Sequence, residues 1–278
     1  MLFAANIAFC SLFAENFALP LTRRTIYSII DKVRNRKLRS KRQISVAFQA
    51  IFQRREIKYF LDEPKYLALR AALEEHMLVD AYGKHTICNV YCDTKNYDLF
   101  SMSVLKPEFK QKMRIRSYGT PKETDLVFLE VKKKYESIVY KRRVSLPLNE
   151  VNKVLETGIV PIADNVNARE IEGFLRYRKI EKKVFLAYDR VALYDPTDKA
   201  LRVTFDTNLR YRTPSQNPDL AAGDHGTPFF SEPRYVCEIK AQDAMPFWML
   251  KILNELRIYP ASFSKIGYVY QNHLLDEE

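Results

Sequence analysis

The sequence predicts an α+β fold: an eight-stranded, mostly antiparallel, closed β-barrel that encloses a tunnel and has helices packed around it. Eight segments alternate apolar and polar residues with a period of two, which is typical of strands. The helical segments between them are too few to supply the long crossovers that a parallel sheet needs. Several strands also carry paired charges on one face and large apolar residues on the other, so the two sides of the sheet meet different environments.

The predicted strands are short and lie between residues 54 and 242. They cover residues 54–61, 84–93, 112–118, 126–134, 137–146, 183–194, 201–212 and 234–242. Residues 213–233 are rich in Pro, Gly and Asn, and we expect a long loop there that moves or stays disordered.

Four helices are predicted between and after these strands. Asp62 is a suitable N-cap and Pro64 a first-turn proline for a helix that continues to residue 77. Helical periodicity recurs over residues 148–156, where Gly158 provides the C-terminal stop, and over residues 168–176 and 247–257.

The net charge of +11 is unevenly distributed over the 278 residues. Residues 23–42 contain nine Lys or Arg and one Asp, whereas residues 43–278 have a net charge of only +4. We therefore predict two regions: a basic N-terminal extension at residues 1–45, disordered or not native, and a folded domain at residues 46–278. A basic amphipathic helix at residues 25–38 is a candidate contact for a membrane surface or a protein partner.

Several common functional classes lack their sequence signals. No Walker-type or G-x-G-x-x-G run occurs, so side chains rather than a glycine loop would hold a phosphate. The four Cys form no C-x-x-C pair, so neither a zinc site nor a disulfide framework is indicated. No run of 18 apolar residues is present, so we predict no membrane span and a cytoplasmic protein.

Charged residues recur at every second position of the predicted strands. Side chains two apart share a face, so each pair projects to the side opposite its apolar neighbours. The pairs are Glu56 and Lys58, Arg114 and Arg116, Glu130 and Lys132, and Glu238 and Lys240. Such a pattern also decorates an ordinary solvated sheet face, and that alternative remains open for each strand taken singly.

If the strands close into a barrel, the charged faces line its lumen. Closely spaced Lys and Arg repel one another there unless a polyanion compensates. Arg and Lys together suit a chain of phosphates, and glutamates suit a divalent cation that bridges phosphate oxygens. This combination is typical of phosphoryl transfer.

Nine short motifs follow one another between about residue 49 and residue 271. The motifs are REIKY at 55–59, YCDT at 91–94, RIR at 114–116, EVK at 130–132, KRR at 141–143, YDR at 188–190, RVTFD at 202–206, CEIK at 237–240 and SK at 264–265. With them the chain resembles the VTC domain, the polyphosphate polymerase domain of the vacuolar transporter chaperone complex, within the triphosphate tunnel metalloenzyme (CYTH-like) superfamily.

The resemblance implies a tunnel in which the γ-phosphate of ATP is transferred to a growing polyphosphate chain with the help of Mn²⁺ or Mg²⁺. It implies that the triphosphate and product chain are bound by Lys58, Arg114, Arg116, Lys132, Arg190, Arg202 and Lys265, and that Glu238 ligates the metal. Lys141 and Lys240 would line the tunnel further. Glu56 and Glu130 follow from the alternation alone: they either bind metal or neutralise neighbouring lysines, and we favour neutralisation.

Three functions are compatible with these residues. We expect an ATP-dependent polyphosphate polymerase whose partners are ATP and polyphosphate, with no nucleic acid. The alternatives are a tunnel-type triphosphatase of inorganic or organic substrates, or a nucleotidyl cyclase more distantly, and a non-enzymatic module that binds polyphosphate or another polyanion, RNA included. Transfer to an acceptor phosphate needs no general base, whereas transfer to water benefits from one.

Overall fold

A computed structural model describes residues 54–135, 138–242 and 244–275. The predicted basic extension and the start of the predicted domain therefore lie outside the described residues. The strands in chain order are β1 Arg54–Leu61, β2 Leu78–Val79, β3 His85–Asp93, β4 Phe109–Tyr118, β5 Leu126–Tyr135, β6 Ile138–Pro147, β7 Glu181–Tyr194, β8 Arg202–Arg212, β9 Thr227–Pro228 and β10 Tyr235–Gln242.

Helices connect the strands or flank them. They are α1 Glu63–Leu73, α2 Asp98–Leu105, α3 Leu148–Thr157, α4 Val166–Arg176, α5 Phe247–Glu255 and α6 Lys265–His273. Asp62 caps α1 by accepting a hydrogen bond from the Lys65 backbone N–H at 2.9 Å, and Gly158 ends α3 at a φ of 73°. Both helix signals in the sequence are confirmed.

The predicted strands are all present, and two helices were not predicted. Helix α2 and helix α6 span only eight and nine residues. Each is therefore too short to repeat a clear amphipathic pattern in the sequence. Helix α1 ends at Leu73 rather than at residue 77 because the next residues turn towards the short strand β2.

The prediction of a closed barrel is wrong. The main path of the sheet runs β1-β10-β8-β7-β3-β4-β5-β6, entirely antiparallel, and no backbone ladder joins β6 to β1 among the described residues. The sheet curls into an open half-barrel. Helix α6 packs against the inner face through Ile266 and Val269, so part of the interior is filled by a helix instead of by the opposite wall of a barrel.

Two apolar layers cover the convex side of the half-barrel. Helices α3 and α4 pack on β3 to β6 and on β7, where Met113, Ile115 and Leu129 are fully buried. Helices α1 and α5 pack on β1, β8 and β10 around Phe205 and Ile239. Because successive strand residues point to opposite faces, this burial directs the intervening charged residues to the concave side.

The segment at 213–233 contains two 3₁₀ turns and the short strand β9, rather than a wholly irregular loop. Arg212 organises it from its buried position on β8. Its guanidinium lies 3.7 Å from the centre of the Phe185 ring and donates hydrogen bonds to the backbone carbonyls of Asn217, Asp219, Gly223 and His225. A single planar donor thus ties four points of the loop together.

Candidate anion-binding site

The strand register brings the predicted site residues onto the concave face. The opposed pairs are Lys58 and Glu238, Glu56 and Lys240, Lys240 and Arg202, Arg190 and Asp206, Arg114 and Glu130, and Lys132 and Lys141. Arg116 lies two residues beyond Arg114 on the same face, and Lys265 reaches this face from the start of α6. The charged residues of this face thus come from seven strands, as the period-two alternation predicts, and from helix α6.

Glu130 is the centre of one cluster of charges. Its carboxylate, 2% exposed, accepts hydrogen bonds from Arg114 at 2.7 Å, from Lys141 at 2.8 Å and from the Arg143 Nε at 2.6 Å. Burial would raise the pKa of Glu130, but the nearby Arg114 and Arg116 outweigh it and hold the pKa well below its usual range. Glu130 is thus a permanently ionised anchor for three cations.

Asp206 is the centre of a second cluster that the sequence analysis did not include. The Arg190 guanidinium donates two hydrogen bonds to it, at 2.6 and 2.8 Å, and the Lys265 ammonium donates a third at 2.6 Å. Burial opposes ionisation of Asp206, yet Lys265 and Arg190 lower its pKa. A signal was available: Asp206 stands four residues after Arg202, so it shares the same face of β8.

A third group of charges lies across the open side of the half-barrel. Lys240 pairs with Glu238 at 2.8 Å and with Glu56 at 3.6 Å, and Lys132 on β5 pairs with Glu56 at 3.7 Å. Burial would raise the pKa of Glu238, but Lys240 and Lys58 lower it to about 2. Side chains therefore connect β1 and β5, which the backbone ladder leaves apart.

Two of the predicted arginines have no carboxylate partner in the part of the chain that the structure describes. Arg116 instead donates to the Asn89 side-chain oxygen at 3.1 Å and to the Tyr188 hydroxyl at 3.3 Å. Arg202 lies exposed at the start of β8, opposite Lys240. These arginines are held by neutral groups or by none, which leaves their charge for a ligand.

Lys112 is a further cation of this face that the sequence analysis missed. Its ammonium donates to the Ser264 hydroxyl at 3.0 Å, and no described carboxylate lies within ion-pairing distance. Burial, with the repulsion of Lys58 and Lys132, lowers the pKa of Lys112 to about 8. It stands two residues before Arg114, so the alternation that selected Arg114 and Arg116 could have selected it as well.

Tyr91 lies beside these cations on β3. Its hydroxyl is 3.4 Å from an Arg114 guanidinium nitrogen. Burial would raise the pKa of Tyr91, but Arg114 and Lys112 outweigh it and lower the pKa to about 8. The same surplus of positive charge that would attract an anionic ligand thus also favours the phenolate form.

The carboxylates of the concave face could bind a divalent cation only if a bound ligand supplied further oxygen atoms to it. Among the described residues no three His, Cys, Asp or Glu side chains gather into a metal site. Mg²⁺, however, is commonly bound by one or two carboxylates together with substrate phosphates, and the ionised Glu238 with its neighbour Glu56 provides that number. The residues therefore fit a metal that arrives with a phosphate ligand.

The concave face of the antiparallel half-barrel carries more cations than carboxylates among the described residues, so it is a candidate surface for binding an anion. The sequence profile of the VTC domain matches residues 53–272, and the chain belongs to the VTC domain family. The described part of the chain contains no helix long and apolar enough to cross a membrane.

Three solved structures align with most of this chain. A provisionally assigned adenylate cyclase from Vibrio parahaemolyticus is 10% identical, with 80% of this chain and 99% of that chain covered and a TM-score of 0.46. The PH1819 protein from Pyrococcus horikoshii OT3 is 16% identical, with coverages of 81% and 99% and a TM-score of 0.41. The Mimivirus capping enzyme triphosphatase is 7% identical, with coverages of 86% and 98% and a TM-score of 0.33. The family assignment rests on the profile match alone.

Proposed function

We propose that this protein is an ATP-dependent polyphosphate polymerase, which transfers the γ-phosphate of ATP to a growing polyphosphate chain on the concave face. Membership of the VTC domain family directs the proposal to phosphate chemistry. The observation that carries it is the group of cations that no described carboxylate neutralises, Arg116, Lys112 and Arg202. Phosphate oxygens are the natural partners of cationic donors that have no carboxylate partner.

Binding would divide between two kinds of cation. Arg190 and Lys265 are fixed by Asp206, and Arg114 is fixed by Glu130, so their donors are oriented before any ligand arrives. Arg116, Lys112 and Arg202 would add the uncompensated charge. Fixed donors that need no reorganisation stabilise charge developing on a transferred phosphoryl group.

The transfer step needs positioning and charge neutralisation but no protein nucleophile. A terminal oxygen of the acceptor chain, already anionic, forms a bond to the γ-phosphorus of ATP, while the bond from that phosphorus to the β–γ bridging oxygen breaks and ADP leaves with the electron pair. A bound Mn²⁺ or Mg²⁺ would supply further neutralisation of the phosphate oxygens. Glu238, with Glu56 beside it, would hold that metal.

The arrangement of carboxylates favours an acceptor phosphate over water. Glu56, Glu130, Asp206 and Glu238 are each engaged by one or more cations, so none is a basic group aimed at a water molecule. We assign the activity to residues 46–278, because the family match begins at residue 53.

The test is to incubate the purified protein with ATP and Mn²⁺ and to resolve the products on a gel. A ladder of long phosphate chains together with ADP is expected. Orthophosphate without chains would mean a triphosphatase, cyclic nucleotide would mean a cyclase, and binding of polyphosphate without turnover would mean a non-enzymatic module. Lys251→Gln, on the exposed face of α5, is the matched control and should behave as the unmodified protein.

A further inference from the structure

A row of lysines extends the candidate site along β4 and β5. The register places Lys110 opposite Lys134, and the next pair on the same face is Lys112 opposite Lys132. Lys106, which follows α2, lies close to Lys110 and donates to the Ser262 hydroxyl at 2.9 Å. The cationic surface therefore does not end at the residues of the VTC motifs.

In this row Lys132 pairs with Glu56 at 3.7 Å, but the outer lysines repel one another without such a partner. No carboxylate among the described residues pairs with Lys106, Lys110 or Lys134, although Lys133, on the opposite face of β5, pairs with Glu170 at 3.8 Å. Burial lowers the pKa of Lys110, and the charges of Lys134 and Lys106 lower it further. Like charges directly opposite each other destabilise a sheet, so an ordinary solvated face would place a carboxylate in one of these positions.

The row is continuous with the anion-binding site. Residues two apart on a strand are separated by about 7 Å, so Lys112 lies one such step from Arg114 and Lys110 lies two steps from it. Lys112 is thus an intermediate point between the arginines and the outer pair. An extended anion held by Arg114 would meet Lys112 and then Lys110 and Lys134 if it followed the strands.

We propose that Lys110 and Lys134 form a binding subsite for the distal segment of a linear phosphate chain whose proximal phosphates lie against Arg114 and Arg116. The inference rests on the proposed function for the identity of the ligand. A chain with a charge on every phosphate matches Lys110 and Lys134, which pair with no carboxylate among the described residues, whereas neither side chain offers a nucleoside an aromatic ring to stack on. The subsite would retain a long product between additions.

Calorimetric titration of the full-length protein with tripolyphosphate and with a long-chain polyphosphate tests the subsite. The Lys110→Gln/Lys134→Gln variant should bind the long chain about tenfold more weakly, a change that corresponds to about 1.4 kcal/mol. Its affinity for tripolyphosphate should change much less, because three phosphates are occupied by the arginines and Lys112. The dependence of long-chain affinity on salt should also fall by about two counterions, one for each lysine removed.

Two further variants show whether a loss of affinity comes from the lost charges or from a loss of folding. Lys110→Arg/Lys134→Arg preserves both charges and should keep long-chain affinity, whereas Lys133→Gln removes a neighbouring charge on the opposite face and should leave it unchanged. Equal weakening for the short and long chains, or no weakening for either, would overturn the subsite. Weaker binding of ATP alone would assign the row to the nucleotide instead.

The outcome is separable from that of the proposed function. If the unmodified protein makes no polymer from ATP but the double variant still loses long-chain affinity selectively, the polymerase assignment fails and the subsite stands. If polymer forms and the double variant binds and extends long chains normally, the subsite fails and the polymerase stands.

Discussion

Arg190 and Asp206 face each other across β7 and β8, and the guanidinium grips the carboxylate through two hydrogen bonds of 2.6 and 2.8 Å. Lys265 donates to the same carboxylate from the start of α6. One buried acid therefore connects two strands of the sheet to the helix that fills part of the concavity. It couples the stability of the fold to the geometry of the candidate anion-binding site.

Asp206→Asn is expected to destabilise the protein by about 3–5 kcal/mol, because it removes the buried carboxylate that pairs with two half-buried cations. Asp206 has a lowered pKa in the folded state, so its stabilisation is present above the unfolded pKa of about 3.9 and is lost as the pH falls below it. Urea unfolding at neutral pH measures the loss.

Tripolyphosphate should restore more stability to Asp206→Asn than it adds to the unmodified protein, since it returns negative charge to Arg190 and Lys265. Glu255→Gln, in an exposed pair with Lys251 at 3.9 Å, is the control and should change stability by less than about 1 kcal/mol. Unchanged unfolding of Asp206→Asn would contradict the coupling.

Arg202→Ala and Arg190→Ala should separate function from folding. Arg202 is exposed and has no carboxylate partner within the described residues, so its removal should reduce turnover at least tenfold with little change in melting temperature. Removal of Arg190 should reduce turnover and lower the melting temperature together, because Asp206 then loses its bidentate partner. Thermal melts and initial rates on the same preparations compare the two; equal loss of stability in both variants would mean that Arg202 is structural.

The assembly of the site could be predicted from sequence because alternation is local. Once a strand buries its apolar residues, the face of Lys58 or Arg116 is fixed, whichever strand lies beside it. The partner in an ion pair, in contrast, cannot be predicted from the strand alone. Nothing in the sequence joins Arg190 to Asp206 rather than to another acid, because the pairing depends on the neighbour order and on a register shift between β7 and β8.

Closure of the barrel could not be predicted for a related reason. The alternation in β1 and β6 describes their faces, whereas closure depends on whether their edges meet. Helix α6 has Ile266 and Val269 buried in one cluster with aromatic residues such as Tyr188 of β7 and Phe229. Its short length hid this helix from periodicity analysis, so the filled interior was missed along with it.

Glu238→Gln should raise the concentration of Mn²⁺ or Mg²⁺ needed for half-maximal activity, with a smaller effect at saturating metal. Lys240 and Lys58 lower the pKa of this carboxylate to about 2, so it is ionised near neutral pH, and the amide removes a full negative charge. Metal titrations at fixed ATP measure the shift. The control is Glu150→Gln on α3, whose ion-pair partner among the described residues is the exposed Lys153; this variant should leave the titration unchanged. A metal requirement indifferent to Glu238→Gln would show that the ion binds elsewhere.

The affinity for tripolyphosphate should fall as the pH rises through about 8. Two groups of the site lose a proton near that pH, and each loss makes the site less positive. Lys112 has its pKa lowered to about 8, chiefly by burial, so it loses its positive charge above that pH. Tyr91 has its pKa lowered to about 8 by Arg114 and Lys112 against the effect of burial, so it gains a negative charge over the same range. Both changes weaken the attraction for a phosphate chain.

Two substitutions divide this pH dependence between its sources. Lys112→Arg keeps its charge above pH 8 and should flatten the fall in affinity, whereas Tyr91→Phe removes only the phenolate contribution. Folding stability should move the opposite way: because Lys112 has a lower pKa folded than unfolded, the unfolded chain binds more protons between about pH 8 and 10.5, so this group makes stability rise with pH there. Affinity that falls while stability rises would distinguish titration of a buried binding lysine from general alkaline unfolding, which lowers both. A flat affinity profile in the unmodified protein would mean that Lys112 does not contact the ligand.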